Sequence, residues 1–175
     1  MKGYAKWAPL VGFILLGSAL TYGLAKPETT NIRSKMIGAS VPSFTLPPAT
    51  AGLPGLSSGN LVNGRPHLLN IFASWCVPCA AEAPQLKAIA DAGVPVVGIA
   101  VRDRPEALAR FLARNGNAFR AIGADDASQV QMAMGSSGVP ESFVVDGKGR
   151  ILSQVIGPIN PQDVAGLIAE VKAAR

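Results

Sequence analysis

Short apolar runs alternate with amphipathic stretches along most of this chain, and turn residues separate them. The runs at 67–74 (HLLNIFAS) and 94–101 (VPVVGIAV) have the length of buried strands. Residues 80–93 and 104–116 carry apolar side chains at helical spacing, and each stretch ends at a glycine. The pattern predicts two central strands, each followed by a helix, with a shorter strand at 44–46 before them.

The second half of the chain continues the alternation. Residues 119–124 (FRAIGA) suit a third strand, and residues 128–134 (SQVQMAM) suit a short helix. Two apolar segments around Asp146-Gly147 have the pattern of a β-hairpin, and residues 164–171 close the chain as an amphipathic helix. The order β-α-β-α-β-(α)-β-β-α predicts an α/β fold with a mixed central sheet flanked by helices.

The longest apolar stretch lies near the N-terminus. Nineteen residues between Lys6 and Lys26 carry no formal charge. As a helix they would span just under the ~30 Å of a bilayer core. Trp7 and Tyr22 near the two ends suit the membrane interface. We therefore expect residues 7–25 to form a transmembrane helix that anchors the protein.

This segment sets the predicted domain organisation. We expect an anchor at 1–26, a polar linker at 27–42 and a folded domain at 43–175. A cleaved signal peptide ending at GLA, residues 23–25, is the alternative. Lysines before the segment keep the N-terminus in the cytoplasm, which places the domain in the periplasm. The predicted location is the inner membrane, crossed once.

Charge and composition exclude several function classes. The formal net charge of +5 falls to +2 when residues 1–27, with three lysines, are set aside (5 − 3 = 2). No basic run remains, so nucleic-acid binding has no support. Zinc and iron–sulfur sites normally take four ligands, and this chain has two cysteines and one histidine, His67. We expect no metal and no cofactor.

Both cysteines lie in FASWCVPCAAEAP, residues 72–84. Covalent haem attachment requires C-x-x-C-H, but Ala80 follows Cys79. A structural disulfide between Cys76 and Cys79 would close a very short loop, which constrains the unfolded chain little. We interpret the pair as a redox couple, with a structural disulfide as the alternative.

The position of the pair between a strand and a helix assigns the two roles. The free N–H groups and the dipole at a helix N-terminus favour a thiolate, so we expect Cys76 to be the exposed nucleophile. Cys79, one turn further on, would resolve the mixed disulfide. Trp75 could shield one side of the couple. Glu82 could exchange the proton of Cys79, or could be an ordinary acidic residue of a first helical turn.

Two motifs carry a family resemblance. NIFASWCVPC (70–79) resembles the active-site segment of thioredoxin-fold oxidoreductases, and it is most similar to the membrane-anchored TlpA/ResA/DsbE (CcmG) branch. SSGVPESFVVDGKGRI (136–151) resembles the G-V-x-x-x-P-E-T-F loop of that branch, with a shortened spacer before the proline. The resemblance covers roughly residues 40–173 and implies a thioredoxin-like fold.

The resemblance also implies a substrate-binding site. In this family the proline, here Pro140, is cis and lies against the disulfide. That arrangement would leave the backbone of Val139 free to pair with a substrate strand. Glu141, expected at the rim of the same cleft, and Trp75 complete the predicted site.

One departure from thioredoxin bears on Glu82. Thioredoxin carries a buried Asp at the position that Asn70 occupies here. Several anchored members share the Asn and place an acid in the following helix, and this favours Glu82 as the proton-exchanging group.

The implied function is that of a periplasmic thiol:disulfide oxidoreductase. The protein would reduce the C-x-x-C-H disulfide of apocytochrome c, and a membrane electron carrier of the DsbD/CcdA kind would re-reduce it. Alternatives are a TlpA/ResA-like reductase of another exported protein, an oxidant that installs disulfides, and a docking module that only holds apocytochrome.

Overall fold

The structure is a computed structural model that describes Trp7 and residues 12–13, 15–18 and 36–174. The chain divides into two units, Met1–Arg33 and Ser34–Arg175. In the first unit, residues 12–13 and 15–18 are helical. No helix in the described ranges has the length and apolar content needed to cross a bilayer. The other residues of the anchor predicted at 7–25 lie outside the described part, apart from Trp7.

The second unit contains strands and helices in alternation. Its strands are β1 (Thr45–Leu46), β2 (Leu56–Ser57), β3 (His67–Phe72), β4 (Val96–Val101), β5 (Ile122–Asp125), β6 (Glu141–Val145) and β7 (Ile151–Ile156). Its helices are α1 (Ser58–Leu61), α2 (Val77–Asp91), α3 (Pro105–Asn115), α4 (Gln129–Ala133) and α5 (Val164–Ala173), with a 3-10 turn at Pro161–Asp163.

The main sheet has five strands in the order β5-β4-β3-β6-β7. Strands β3, β4 and β5 are parallel to one another, whereas β6 is antiparallel to β3 and β7 is antiparallel to β6. The predicted mixed sheet with a closing hairpin is therefore confirmed. Strands β1 and β2 form a separate two-stranded sheet. The sequence pattern missed β2 and α1 because segments of two and four residues are too short to show a period.

Side chains of β3 alternate between two hydrophobic clusters, one on each face of the sheet. Leu68 and Phe72 face the cluster that contains both cysteines, and Leu69 and Ile71 face the other cluster. Asn70 shares the face of Leu68 and Phe72 because successive side chains of a strand point to opposite faces. A polar side chain is thereby placed in the layer that packs against α2.

Strand pairing brings the two sequence motifs together. The last residues of β3 pair with the first residues of β6, with Ile71 opposite Glu141. The chain leaving β3 reaches Cys76 within four residues of Phe72, and the chain entering β6 passes through Pro140. The C-x-x-C segment and the proline loop consequently lie at the same end of the sheet.

The polar segment before β1 is attached to the opposite end of this sheet. The Gly38 and Val41 N–H groups donate to the carbonyls of Ile151 and Gly149, at 2.8 Å each. Ser40 also forms an isolated antiparallel bridge with Arg150. Residues 38–41, the last part of the predicted linker, are thus bonded to the β6–β7 hairpin.

Candidate active site

The two cysteines form a disulfide at the N-terminus of α2. Their Cα atoms are 5.3 Å apart, and Cys76 is the N-cap residue of the helix. Its Sγ accepts the N–H of Cys79 at 3.2 Å. Pro78 occupies the first turn, where a backbone N–H would have no acceptor within the helix, so proline costs no hydrogen bond there. Helix α2 begins three residues before the predicted start at 80 because this cap includes the whole motif.

The surroundings of the two sulfur atoms differ. Cys76 lines an open groove of about 260 Å³ together with Trp75 and Arg114. Cys79 instead lines a small interior cavity of about 10 Å³. The prediction that Cys76 is exposed is wrong for the disulfide form, in which it is 5% exposed and Cys79 is 2% exposed. The two cysteines therefore differ in the space that they line and not in their exposed fraction: Cys76 lines the open groove and Cys79 the interior cavity.

The loop after β4 holds the segment that precedes the cysteines, which sequence reasoning missed. The Asp103 carboxylate accepts the N–H and the hydroxyl of Ser74, the latter at 2.6 Å. The indole N–H of Trp75 donates to the carbonyl of Arg102 at 3.3 Å, while the ring stays 57% exposed. The available signal was that Asp103 follows a predicted parallel strand, whose carboxyl end lies at the same sheet edge as that of β3.

Glu82 is buried one helical turn after Cys79. It is 1% exposed, and its two carboxylate oxygens accept from the Asn70 Nδ2 at 3.0 Å and the Ile159 N–H at 2.9 Å. Burial raises the pKa of Glu82 above its ordinary value, although these two hydrogen bonds oppose the shift. The carboxyl group is held on the same side of α2 as Cys79, with a pKa moved toward neutral pH.

The proline loop lies at the same end of the sheet as the disulfide. The Val139–Pro140 peptide bond is cis, as the family resemblance implies. Val139 is half-buried and packs against the hydrophobic cluster that contains both cysteines. In the described part of the chain, neither its N–H nor its carbonyl has a hydrogen-bond partner. The backbone at Val139 is therefore free to pair with an added strand.

An open groove connects Trp75 with this loop. Its volume is about 660 Å³, and its lining includes Trp75, Arg102, Met132, Val139 and residues 136–138. Trp75 and Met132 are exposed apolar side chains, at 57% and 65%. A groove with exposed apolar side chains among polar ones, and with unpaired backbone groups along one side, can take an extended peptide.

Over most of its length this chain is similar to known thiol:disulfide interchange proteins. The Redoxin family matches residues 36–169. The thiol:disulfide interchange protein HelX of Rhodobacter capsulatus is 33% identical over 150 residues, which cover 86% of this chain and 83% of HelX. The thiol:disulfide interchange protein DsbE of Escherichia coli K12 is 32% identical over 168 residues, covering 93% of this chain and 90% of that protein.

This chain belongs to the DsbE/HelX group of thiol:disulfide interchange proteins. The crystal structure of a DsbE protein from Chlorobium tepidum superposes with a TM-score of 0.67 at 26% identity, covering 79% of this chain and 96% of that one. The fold is accordingly thioredoxin-like, and the protein is a thiol:disulfide oxidoreductase that exchanges disulfides with redox partners.

The structure of this DsbE-type protein corrects the place expected for Glu141. Its side chain is 1% exposed and does not form a rim of the cleft. One carboxylate oxygen accepts the N–H and the hydroxyl of Ser137, at 3.0 and 2.9 Å, and the other accepts the Gln154 Nε2 at 2.8 Å. Glu141 lies two residues before Phe143 on β6 and so shares its face, toward the cluster opposite the cysteines. It fixes the loop that carries Val139 and does not itself face the groove.

No cluster of three or more His, Cys, Asp or Glu side chains in the described ranges could hold a metal ion. His67, which opens β3, is 6% exposed, and burial lowers its pKa. It lies at the end of β3 away from the disulfide and takes no part in the site.

Replacing Glu141 with glutamine is expected to raise the KM for a protein disulfide several-fold with a smaller change in kcat. A carboxamide is uncharged and has one acceptor oxygen where the carboxylate has two, so the bonds to Ser137 and Gln154 weaken and the loop carrying Val139 loosens. Reduction of the Cys76–Cys79 disulfide by dithiothreitol serves as the control, since this small reagent does not need the loop. A change in the dithiothreitol rate equal to the change in turnover would contradict the loop role.

Proposed function

We propose that the protein reduces the disulfide in the haem-binding C-x-x-C-H segment of apocytochrome c. The observation that carries this proposal is the unpaired backbone of Val139, which lines the 660 Å³ groove together with Trp75, the residue before Cys76. An unfolded polypeptide can add to this backbone as a strand, whereas a folded protein surface rarely offers a free strand. The specific substrate comes from the family resemblance of the two motifs.

In the proposed reaction, the Cys76 thiolate attacks the partner disulfide and one partner thiolate leaves. The helix N-terminus stabilises the thiolate through the Cys79 N–H and the α2 dipole. Cys79 then loses its proton and attacks the Cys76 sulfur, which breaks the bond to the partner and re-forms the disulfide. Two electrons pass to the partner, whose two sulfur atoms end as thiols. Glu82 is the proposed acceptor of the Cys79 proton.

We further propose that the protein is anchored in the inner membrane by residues 7–25, with the domain in the periplasm. The uncharged stretch between Lys6 and Lys26 supports the anchor. A carrier of the DsbD/CcdA kind would then return the domain to its dithiol form. An alkaline phosphatase fusion after residue 40 should be active, and the full-length protein should stay with membranes after a carbonate wash. Recovery of a soluble form starting near Lys26 would contradict the anchor and show that the segment is a cleaved signal peptide.

The substrate proposal is tested with synthetic peptide disulfides and the reduced protein. A peptide containing an oxidised C-x-x-C-H segment should be reduced faster than a matched peptide in which that histidine is replaced by alanine. Equal rates for the two peptides would favour a reductase of another exported protein. The docking-module alternative predicts that a chain with both Cys76 and Cys79 replaced by serine still supports haem attachment, and our proposal predicts that it does not.

A further inference from the structure

Asn70 has one polar atom without a partner in the interior of the protein. Its side chain is completely buried, and its Nδ2 donates both of its hydrogens, to Glu82 and to Ser142, at 3.0 Å each. These two donors fix the orientation of the carboxamide. Its Oδ1 makes no hydrogen bond with any described residue. Buried acceptors without a partner are uncommon and call for a specific explanation.

The space next to this side chain is the cavity that Cys79 lines. The cavity has a volume of about 10 Å³, close to the minimum that one water molecule requires. Asn70 and Cys79 line it together, and the other lining residues are Phe72, Ala83, Leu86, Phe111, Gly116, Ala118 and Phe119. Among the described residues that line this cavity, Asn70 therefore contributes the only hydrogen-bonding side chain apart from Cys79 itself.

Reduction of the disulfide creates the missing donor. When the S–S bond is replaced by two thiols, the Sγ of Cys79 gains a hydrogen, and an S–H group is a weak donor. We propose that the Oδ1 of Asn70 accepts this S–H in the reduced protein. Asn70 is then a positioning residue that keeps Cys79 protonated, because a hydrogen bond to the neutral form disfavours ionisation.

This role deepens the proposed reaction and rests on Cys79 as the resolving thiol. While Cys79 remains protonated, Cys76 is the thiol that ionises and attacks a partner. In the mixed disulfide the Cys79 proton passes to the Glu82 carboxylate, which Asn70 holds through its Nδ2. The Cys79 thiolate then attacks the Cys76 sulfur and the partner sulfur leaves as a thiolate. Asn70 contacts the donor and the acceptor of the proton without carrying it.

The ionisable groups around Cys79 are few. Cys76 and Glu82 belong to its own helix segment, and Arg114 of α3 lines the groove that Cys76 borders. On the sheet, β3 and β6 present Asn70 and Ser142, which are uncharged, toward this face. A change in the Cys79 pKa on substitution of Asn70 can therefore arise from the lost Oδ1 or from an altered Glu82.

The experiment separates these two causes. Cys79 is titrated by its ultraviolet thiolate absorbance in the full chain carrying Cys76→Ser, with and without Asn70→Leu. We expect Asn70→Leu to lower the Cys79 pKa and to raise its thiolate fraction at neutral pH several-fold. The pair is repeated with Glu82→Gln added, where the decrease must persist. An unchanged or higher pKa, or a decrease that vanishes with Glu82→Gln, would overturn the proposal.

Ser142→Ala is the matched control, because it removes a partner of the Asn70 Nδ2 and leaves the Asn70 Oδ1 intact. In this variant the Cys79 pKa should not change.

If Asn70→Leu does not fold, the S–H stretching vibration of Cys79 in the Cys76→Ser chain decides the question. A band at the lower frequency of a hydrogen-bonded thiol supports the proposal, and a band at the frequency of a free thiol refutes it. Neither measurement uses a partner protein, so a wrong substrate assignment would leave both results unaffected.

Discussion

Cys79→Ser is expected to leave the protein covalently attached to its partners through Cys76, with turnover falling to the rate of uncatalysed exchange. Cys76 borders an open groove, and its sulfur accepts the N–H of residue 79, a bond that the serine variant retains. The first attack therefore proceeds. Without a second sulfur, the mixed disulfide cannot be resolved. Non-reducing electrophoresis and mass measurement of the adducts provide the test.

The reciprocal variant, Cys76→Ser, is the control for this result. Cys79 lines the interior cavity and should form no adduct with a protein partner. Reduced wild-type chain treated with a small alkylating reagent should be modified at Cys76 well before Cys79. Equal rates at the two thiols, or adducts through Cys79, would show that the roles are assigned incorrectly.

Glu82→Gln should slow resolution of the mixed disulfide by at least about tenfold at neutral pH, since general base catalysis contributes ~10²–10⁴-fold. Because burial raises the Glu82 pKa, the wild-type rate should rise with pH while this carboxyl loses its proton and then level off. The variant should lack that rise. Removal of the negative charge should also lower the pKa of the thiols. Rapid mixing over a pH series, with thiol alkylation in parallel, measures both effects.

The same substitution has a signature in stability. A carboxyl group whose pKa is higher in the folded than in the unfolded chain makes the folded state hold its proton more tightly, so wild-type stability falls as pH rises above the ordinary value of 4.5. The free energy of unfolding of Glu82→Gln relative to wild type should therefore increase with pH over that interval. Glu106→Gln, at an exposed position of α3, is the matched surface control. A flat difference for Glu82→Gln would mean that its carboxyl group is not perturbed.

Much of the site could be predicted from local sequence. The spacing of Cys76 and Cys79, the missing N–H of Pro78 and the strand before them together define a redox pair at a helix N-terminus. The cis bond before Pro140 followed from a motif. The redox pair depends on residues a few positions apart, so local sequence is enough to indicate it, whereas the cis bond was implied only by the family resemblance of the motif.

The surroundings of the two glutamates could not be predicted in the same way. Glu82 receives one of its hydrogen bonds from Ile159, which is 77 positions away, and Asn70 reaches Ser142 over 72 positions. Glu141 was expected at a rim, but the alternation of β6 turns it toward the second hydrophobic cluster. Its spacing of two residues from Phe143, which places both side chains on one face of the strand, was a usable signal that favours a buried position.

The sequence by itself determined the fold class, the order of the main-sheet strands and of the longer helices, and the two reacting sulfur atoms, because periodicity, caps and motifs are local properties. Tertiary structure alone decided which space each sulfur borders, and it raised the Glu82 pKa by burial. It also decided that the Ser74 and Trp75 segment is held by the loop after β4. Burial and hydrogen bonding of a polar group depend on side chains that the packing of distant segments brings together, and no local pattern specifies them.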